Sequence, residues 1–168
     1  MRIAGIDPGS NGALVIIDKD VVECHTFVKV GGKLSYDETV RQVVQLLKTA
    51  DFAFIEEVHG IKGSASKATF AFGYTCGALR AAIIMANTPY EMVTPQTWQK
   101  QVWTNPDYVY KKSKTDRKQN DTKATSLNCA KRLLPNETFI VGKGQIPHDG
   151  IVDAALIAIY GQRKLGVR

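Results

Sequence analysis

The chain begins with two short apolar runs, Arg2–Ile6 and Ala13–Asp18, interrupted by the six residues Asp7-Pro8-Gly9-Ser10-Asn11-Gly12. Ile- and Val-rich runs of this length, separated by Pro-Gly and Asn-Gly, are strands joined by a turn. Lys19-Asp20 makes a second turn into Val21–Val30, so the opening predicts a three-stranded antiparallel meander. It also leaves a carboxylate, Asp7, where the first strand ends.

Helical and extended patterns alternate after the meander. Val40, Val43, Val44 and Leu47 fall at i, i+3, i+4 and i+7, which predicts a helix over Ser35–Lys48. Asp51–Glu57 (DFAFIEE) reads as a buried strand, His59–Ser66 as a Gly/Ser-rich loop, and the alanine-rich Lys67–Asn87 as a buried helix. Tyr90–Thr94 reads as a strand, and Pro95 starts a short helix through Trp103. Thr104–Asn120 lacks apolar periodicity and reads as an exposed loop. Asp121 caps a helix that Pro135 stops at Leu134, Glu137–Val141 is a weak strand, and Asp149–Lys164 is the last helix. This order predicts one α/β domain over residues 1–168, with a mixed five-stranded sheet of three antiparallel strands plus parallel strands, flanked by helices.

Composition narrows the function classes. With 44% hydrophobic residues, 168 residues are enough for a real core. No signal-peptide pattern is visible and no apolar run approaches the ~18 residues of a membrane span, so a soluble protein without a membrane partner is expected. Cys24, Cys76 and Cys129 are odd in number and widely spaced, with no C-x-x-C pair. They suggest neither a disulfide framework nor a zinc site, which fits a reducing cytoplasm.

The net charge of +6 is concentrated in one place. Residues 111–132 hold eight basic side chains, Lys111, Lys112, Lys114, Arg117, Lys118, Lys123, Lys131 and Arg132, against Asp116 and Asp121. The rest of the chain is neutral. A concentrated basic segment on a neutral body suits a phosphate backbone, although a solvated loop running into an ordinary helix would look the same.

Carboxylates collect at element ends. Asp7 ends the first strand, Glu56 and Glu57 end the fourth, and Asp149 and Asp153 share one face of the last helix at i, i+4. Glu57 points to the opposite side of its strand from Glu56 and is set aside. In α/β sheets, ligands bind outside strand ends, where side chains from separated parts of the chain meet. Two acids in the first turns of a helix also suit its dipole, which is the simpler role for Asp149 and Asp153. Three or four acids in one cleft are costly unless cations neutralise them, and oxygen-only ligands suit Mg²⁺ or Mn²⁺.

Three motifs in order carry a family resemblance. Ile6-Asp7-Pro8-Gly9-Ser10, Phe54-Ile55-Glu56-Glu57-Val58 and His148-Asp149-Gly150-Ile151-Val152-Asp153-Ala154-Ala155-Leu156 resemble the RuvC family of Holliday junction resolvases, in particular its short phage-type members. The resemblance implies an RNase H-like fold and a homodimer that nicks opposed strands of a four-way DNA junction. It also implies a two-metal mechanism with Mg²⁺ or Mn²⁺, and a setting with DNA in the cytoplasm of a bacterial or phage-infected cell. Asp7, Glu56 and Asp153 match the family's metal-binding acids. The fourth acid departs from the pattern: three residues before Asp153 stands Gly150, so Asp149 is the nearest carboxylate and His148 the next candidate. Lys123 resembles the family's lysines near the scissile phosphate, or is one more phosphate contact, or only a solvated helix residue. His59 stands where the family tends to have a junction-intruding aromatic residue, and a solvent-facing loop histidine is the simpler reading. The basic loop at about 104–120, with Lys111, Lys112, Lys114, Arg117 and Lys118, would bind DNA with Lys123 and His59. Gly73 and Gly77 allow close approach to the second helix, either by the sheet or, as the resemblance implies, by a dimer partner.

Other classes fit less of the sequence. Actin-like ATPases and sugar kinases share a strand-Asp-x-Gly-Ser opening, but 168 residues leave no room for a second lobe and Gly142-Lys143-Gly144-Gln145 lacks Walker spacing. A nuclease of the same fold acting on flaps or RNA–DNA hybrids accounts for the acids equally well. A non-enzymatic DNA-binding module accounts for the basic segment but not for the acids.

Overall fold

The computed structural model describes residues 1–57, 66–112, 118–142 and 144–167. Strands β1 (Ile3–Asp7), β2 (Ala13–Asp18) and β3 (Val21–Thr26) form the antiparallel meander, and β6 (Phe52–Glu56) and β7 (Tyr90–Val93) add in parallel beyond β1. The strand order is β3-β2-β1-β6-β7, so β1 and β6 lie side by side near the middle of the sheet. Successive side chains alternate between two cores. Ala4 and Ile6 face α1 (Tyr36–Leu47) and α2 (Ser66–Ala86), while Ile3 and Phe54 face α3 (Pro95–Val102), α4 (Thr122–Leu133) and α5 (Asp149–Lys164). The result is three layers, helix on sheet on helix.

α5 is the element that organises the second core. Its residues from Ala154 to Tyr160 are all buried, and it crosses β1 closely because Gly5 has no side chain. A Cβ there would stand 2.1 Å from the Ala154 carbonyl oxygen and 2.5 Å from the Ala158 nitrogen. Gly161 admits Phe54 in the same way.

Four sequence expectations are corrected. The third strand stops at Thr26 instead of running to Val30. Phe27 turns into the core, and β4 (Lys29–Val30) pairs with β5 (Lys33–Leu34) across Gly31 and Gly32, both at positive φ. Glu137–Val141 is not a strand, because Phe139 adopts φ +58° to bury its ring. The basic loop expected at 104–120 is ordered at both ends: Asn105–Asp107 is a 3-10 turn, and β8 (Tyr110–Lys112) pairs with β9 (Lys118–Asn120) in a separate ribbon. Asp107 anchors this region, buried against the Arg132 guanidinium at 2.6 Å.

The fourth correction concerns α2. It buries only one face, Thr75, Leu79, Ala82, Ile83 and Ala86, against α1 and the sheet. The opposite face carries Phe70 (75% exposed), Tyr74, Ile84 (64%) and Met85 (68%). By length and composition this helix could cross a membrane, which a search for uninterrupted apolar runs misses because Lys67 and Arg80 break the run. Its packed face identifies it as a layer of this fold.

Candidate nucleic-acid and metal site

The sheet itself brings two carboxylates together. The last paired residues of β1 and β6 are Ile6 and Ile55, so Asp7 and Glu56 follow side by side at the carboxyl ends of adjacent parallel strands. Both share the parity of Ile3 and Phe54 and therefore face the α5 layer. There α5 delivers Asp153, held close to β1 by the Gly5 contact just one residue further on.

Each carboxylate is shifted by this convergence. Burial, then the neighbouring Glu56, pushes Asp7 up to about 7, against the opposing pull of the Gly9 N–H. Burial also lifts Asp153 to about 7, the Ser126 hydroxyl opposing and Asp7 and Asp149 adding to the rise. Glu56 is raised by burial and by Asp153, while its hydrogen bond from Trp98 pulls it down. Mutual coupling of this kind places the three carboxyl groups within electrostatic reach of one another.

The acids are oriented by different protein donors. Gly9 N–H reaches Asp7 Oδ1 at 3.2 Å, and Trp98 Nε1 donates to Glu56 Oε1 at 2.8 Å. Asp153 Oδ1 is buried and has no hydrogen-bond partner among the described residues. Among the described residues, no three His, Cys, Asp or Glu side chains are already gathered as a metal-ligand group. A shared ion therefore requires these side chains to turn toward one another. The donor set nevertheless fits a hard divalent cation: it is all oxygen, its carboxyls are coupled to one another, and a buried carboxylate oxygen lacks a donor among the described residues.

Asp149 is coupled to the same acids, adding to the rise at both Asp7 and Asp153. It is exposed at the first position of α5, where Lys123 Nζ approaches its Oδ2 to 2.5 Å, and that contact raises the Lys123 pKa. His148 caps α5, its Nδ1 accepting the Ile151 N–H at 3.3 Å, so that nitrogen is committed to the helix. Gly150 explains the departure from the family spacing. A Cβ at that position would stand 2.3 Å from the Asn11 carbonyl oxygen, so the turn after β1 occupies the space a side chain would need.

α4 and the β8–β9 ribbon supply the positive side. Asp121 caps α4 through the Ala124 N–H, and the helix then carries Lys123 and Ser126 toward Asp149 and Asp153. Lys112 stands opposite Lys118 across the ribbon, on one face, whereas Lys111 turns to Asp121 at 3.3 Å. His59, Lys114 and Arg117 lie outside the described residues.

Sequence reasoning missed three participants. Trp98 reads as core, and it is buried, but it also fixes Glu56; nothing in its sequence context signals that. Ser126 is equally silent. Cys76 on α2 is raised by burial and by Asp7 and Glu56, so it lies within reach of their charge.

No protein-family model and no curated protein sequence matches the chain. Solved structures do. RuvC of Thermus thermophilus in complex with a Holliday junction substrate superposes with a TM-score of 0.59 at 17% identity, over 99% of this chain and 96% of that one. A second Thermus thermophilus RuvC structure gives 0.54 at 15% identity, over 99% and 98%. The chain therefore has the fold of RuvC, the RNase H-like architecture that the three sequence motifs imply.

Proposed function

We propose that the protein is a metal-dependent endonuclease that resolves four-way DNA junctions by paired nicks, acting as a homodimer. The observation that carries the reading is the meeting of Asp7, Glu56 and Asp153 at the carboxyl ends of β1 and β6, beside a basic helix and ribbon. Junction DNA is favoured over flaps or RNA–DNA hybrids because the RuvC of the same fold was solved with a Holliday junction. A plain DNA-binding module leaves three coupled acids without a role, since they repel phosphate.

Asp7, Glu56 and Asp153 would hold Mg²⁺ or Mn²⁺, with Asp149 as an outer partner. When bound, such ions supply an activated water and stabilise charge on the leaving 3′ oxygen. The chain's own residues do the rest. Trp98 keeps Glu56 facing the α5 layer, and Ser126 holds Asp153 from behind. Lys123 brings an ammonium beside the acids, where a phosphate that displaces Asp149 would meet it and where it can offset developing charge. Lys112 and Lys118 extend the positive surface along the DNA backbone; Lys114 and Arg117, outside the described residues, are proposed as further phosphate contacts from the sequence alone.

The dimer is proposed on α2. Among the described residues, nothing lies within 4 Å of a Cβ built on Gly73 or Gly77, so the sheet does not call for these glycines. Two copies related by a twofold axis would present two sites to opposed strands. We place the protein with DNA in the cytoplasm of a bacterial or phage-infected cell. The test is incubation with a synthetic four-way junction, a flap, an RNA–DNA hybrid and a linear duplex, with and without Mg²⁺. Mg²⁺-dependent paired nicks confined to the junction are expected; equal cutting of all four substrates would refute junction selectivity.

A further inference from the structure

The β8–β9 ribbon carries a row of rings that the charge argument does not use. Tyr108 and Tyr110 stack with centroids 6.2 Å apart and planes at 14°, and Tyr110 is 58% exposed. Alternation along β8 puts Tyr110 and Lys112 on one face, Lys118 joins them from directly across the ribbon, and Tyr108, just before the strand, stacks on Tyr110. Two ammonium groups beside an exposed ring are complementary to a nucleotide, with its phosphate and its flat base.

The row is anchored to the acidic site. Tyr108 meets Trp103 edge-on at 5.8 Å, Trp103 meets Trp98 edge-on at 6.0 Å, and Trp98 donates to Glu56. The ribbon is also tied to α4. Val109 N–H donates to Thr125 Oγ1 at 3.0 Å, and Asp121 N–H donates to the Val109 carbonyl at 2.7 Å. The tyrosine pair is therefore held in fixed relation to both Glu56 and Lys123.

We propose that Tyr108 and Tyr110 form a stacking platform for an unpaired base of the bound DNA, with Lys112 and Lys118 holding the flanking phosphates. The proposal rests on the nuclease reading for its substrate, and it adds a base contact to a surface otherwise defined by charge. Tyr110 presents the open ring face; Tyr108 backs it and relays its position to the tryptophans.

The test separates base from phosphate and needs no cleavage. Metal-free protein is titrated with a twelve-thymidine strand and with an abasic strand of about the same length, carrying the same phosphates. Wild type should bind the thymidine strand about tenfold tighter, the order expected for one stacked base. Tyr110→Ala should bind both alike, Tyr110→Leu should behave as Ala, and Tyr110→Phe should keep the preference. Lys112→Ala with Lys118→Ala should flatten the salt dependence by roughly 0.7 per lysine for either strand. Equal binding of the two strands by wild type, or a preference that survives in Tyr110→Ala or is lost in Tyr110→Phe, would overturn the platform. Failure of the nuclease reading shows elsewhere, as junctions left intact in Mg²⁺ by a protein that retains the base preference.

Discussion

Gly150 and Asn11 are in such close approach that a Cβ on the glycine would stand 2.3 Å from the Asn11 carbonyl oxygen. The contact seats the first turn of α5 on the turn after β1 and so fixes Asp153 relative to Asp7. It predicts that Gly150→Asp, which would put an acid three residues before Asp153, lowers activity instead of raising it. Overpacking against backbone should cost about 1–3 kcal/mol, measurable as a lower urea midpoint. Gly150→Ala should show most of the same loss.

Asp149 and Asp153 should separate on mutation. Asp149 is exposed and bound to Lys123, whereas Asp153 is coupled to Asp7 and Glu56. Asp153→Asn is expected to cut the rate of junction cleavage at least about a hundredfold, nearly 3 kcal/mol in barrier. Asp149→Asn should cost less than about tenfold, which single-turnover rates at saturating enzyme will distinguish.

The acid cluster should depress stability at neutral pH. Asp7 and Asp153 rise from 3.8 to about 7 on folding, so between those values the folded state binds more protons than the unfolded state. Stability therefore falls as pH rises from about 4 to about 7. Thermal melts of metal-free protein should show that decline, and Asp7→Asn should lessen it and raise the melting temperature at pH 7. Added Mg²⁺ should raise the wild-type melting temperature most above pH 7, where the ion no longer competes with protons.

The Asp107–Arg132 pair predicts the opposite limb. Its hydrogen bonds from Arg132 hold Asp107 down at about 2. That stabilisation is complete above pH 4 and is lost as pH falls toward 2. Arg132→Ala, which leaves a buried carboxylate without its cation, should cost about 3 kcal/mol in chemical denaturation and detach the base of the ribbon from α4.

The exposed stripe of α2 predicts self-association. Ile84→Glu and Met85→Glu alter side chains with no core role. They should leave the melting temperature of the monomer unchanged while shifting sedimentation from dimer to monomer. A wild type that sediments as a monomer at micromolar concentration, with and without DNA, would remove α2 as the dimer face.

How far the sequence carried depended on whether local pattern or tertiary contact made each feature. α5 was legible to the residue, because an apolar run, an acid at its start and basic residues at its end all agree. Strand ends placed Asp7 and Glu56 for the same reason. The ribbon was not legible, because Tyr110-Lys111-Lys112 has no apolar alternation and depends on ties from Val109 and Asp121 to their neighbours. The i, i+2 spacing of Tyr108 and Tyr110 was its one strand-like signal. The roles of Trp98 and Ser126 exist only once α3, α4 and β6 have packed, and Gly150 makes sense only against Asn11. The exposed face of α2 was hidden by composition, since an apolar helix looks the same whether it covers a core or a partner.

The central claim is that the acids where β1, β6 and α5 meet serve cleavage and oppose DNA binding. The most direct measurement follows one four-way junction with wild type and Asp7→Asn, recording both affinity without metal and nicking in Mg²⁺. Asp7→Asn is expected to bind the junction at least as tightly as wild type, because a charge facing phosphate has been removed, while nicking falls at least about a hundredfold. A folded Asp7→Asn protein that nicks the junction at the wild-type rate would contradict it.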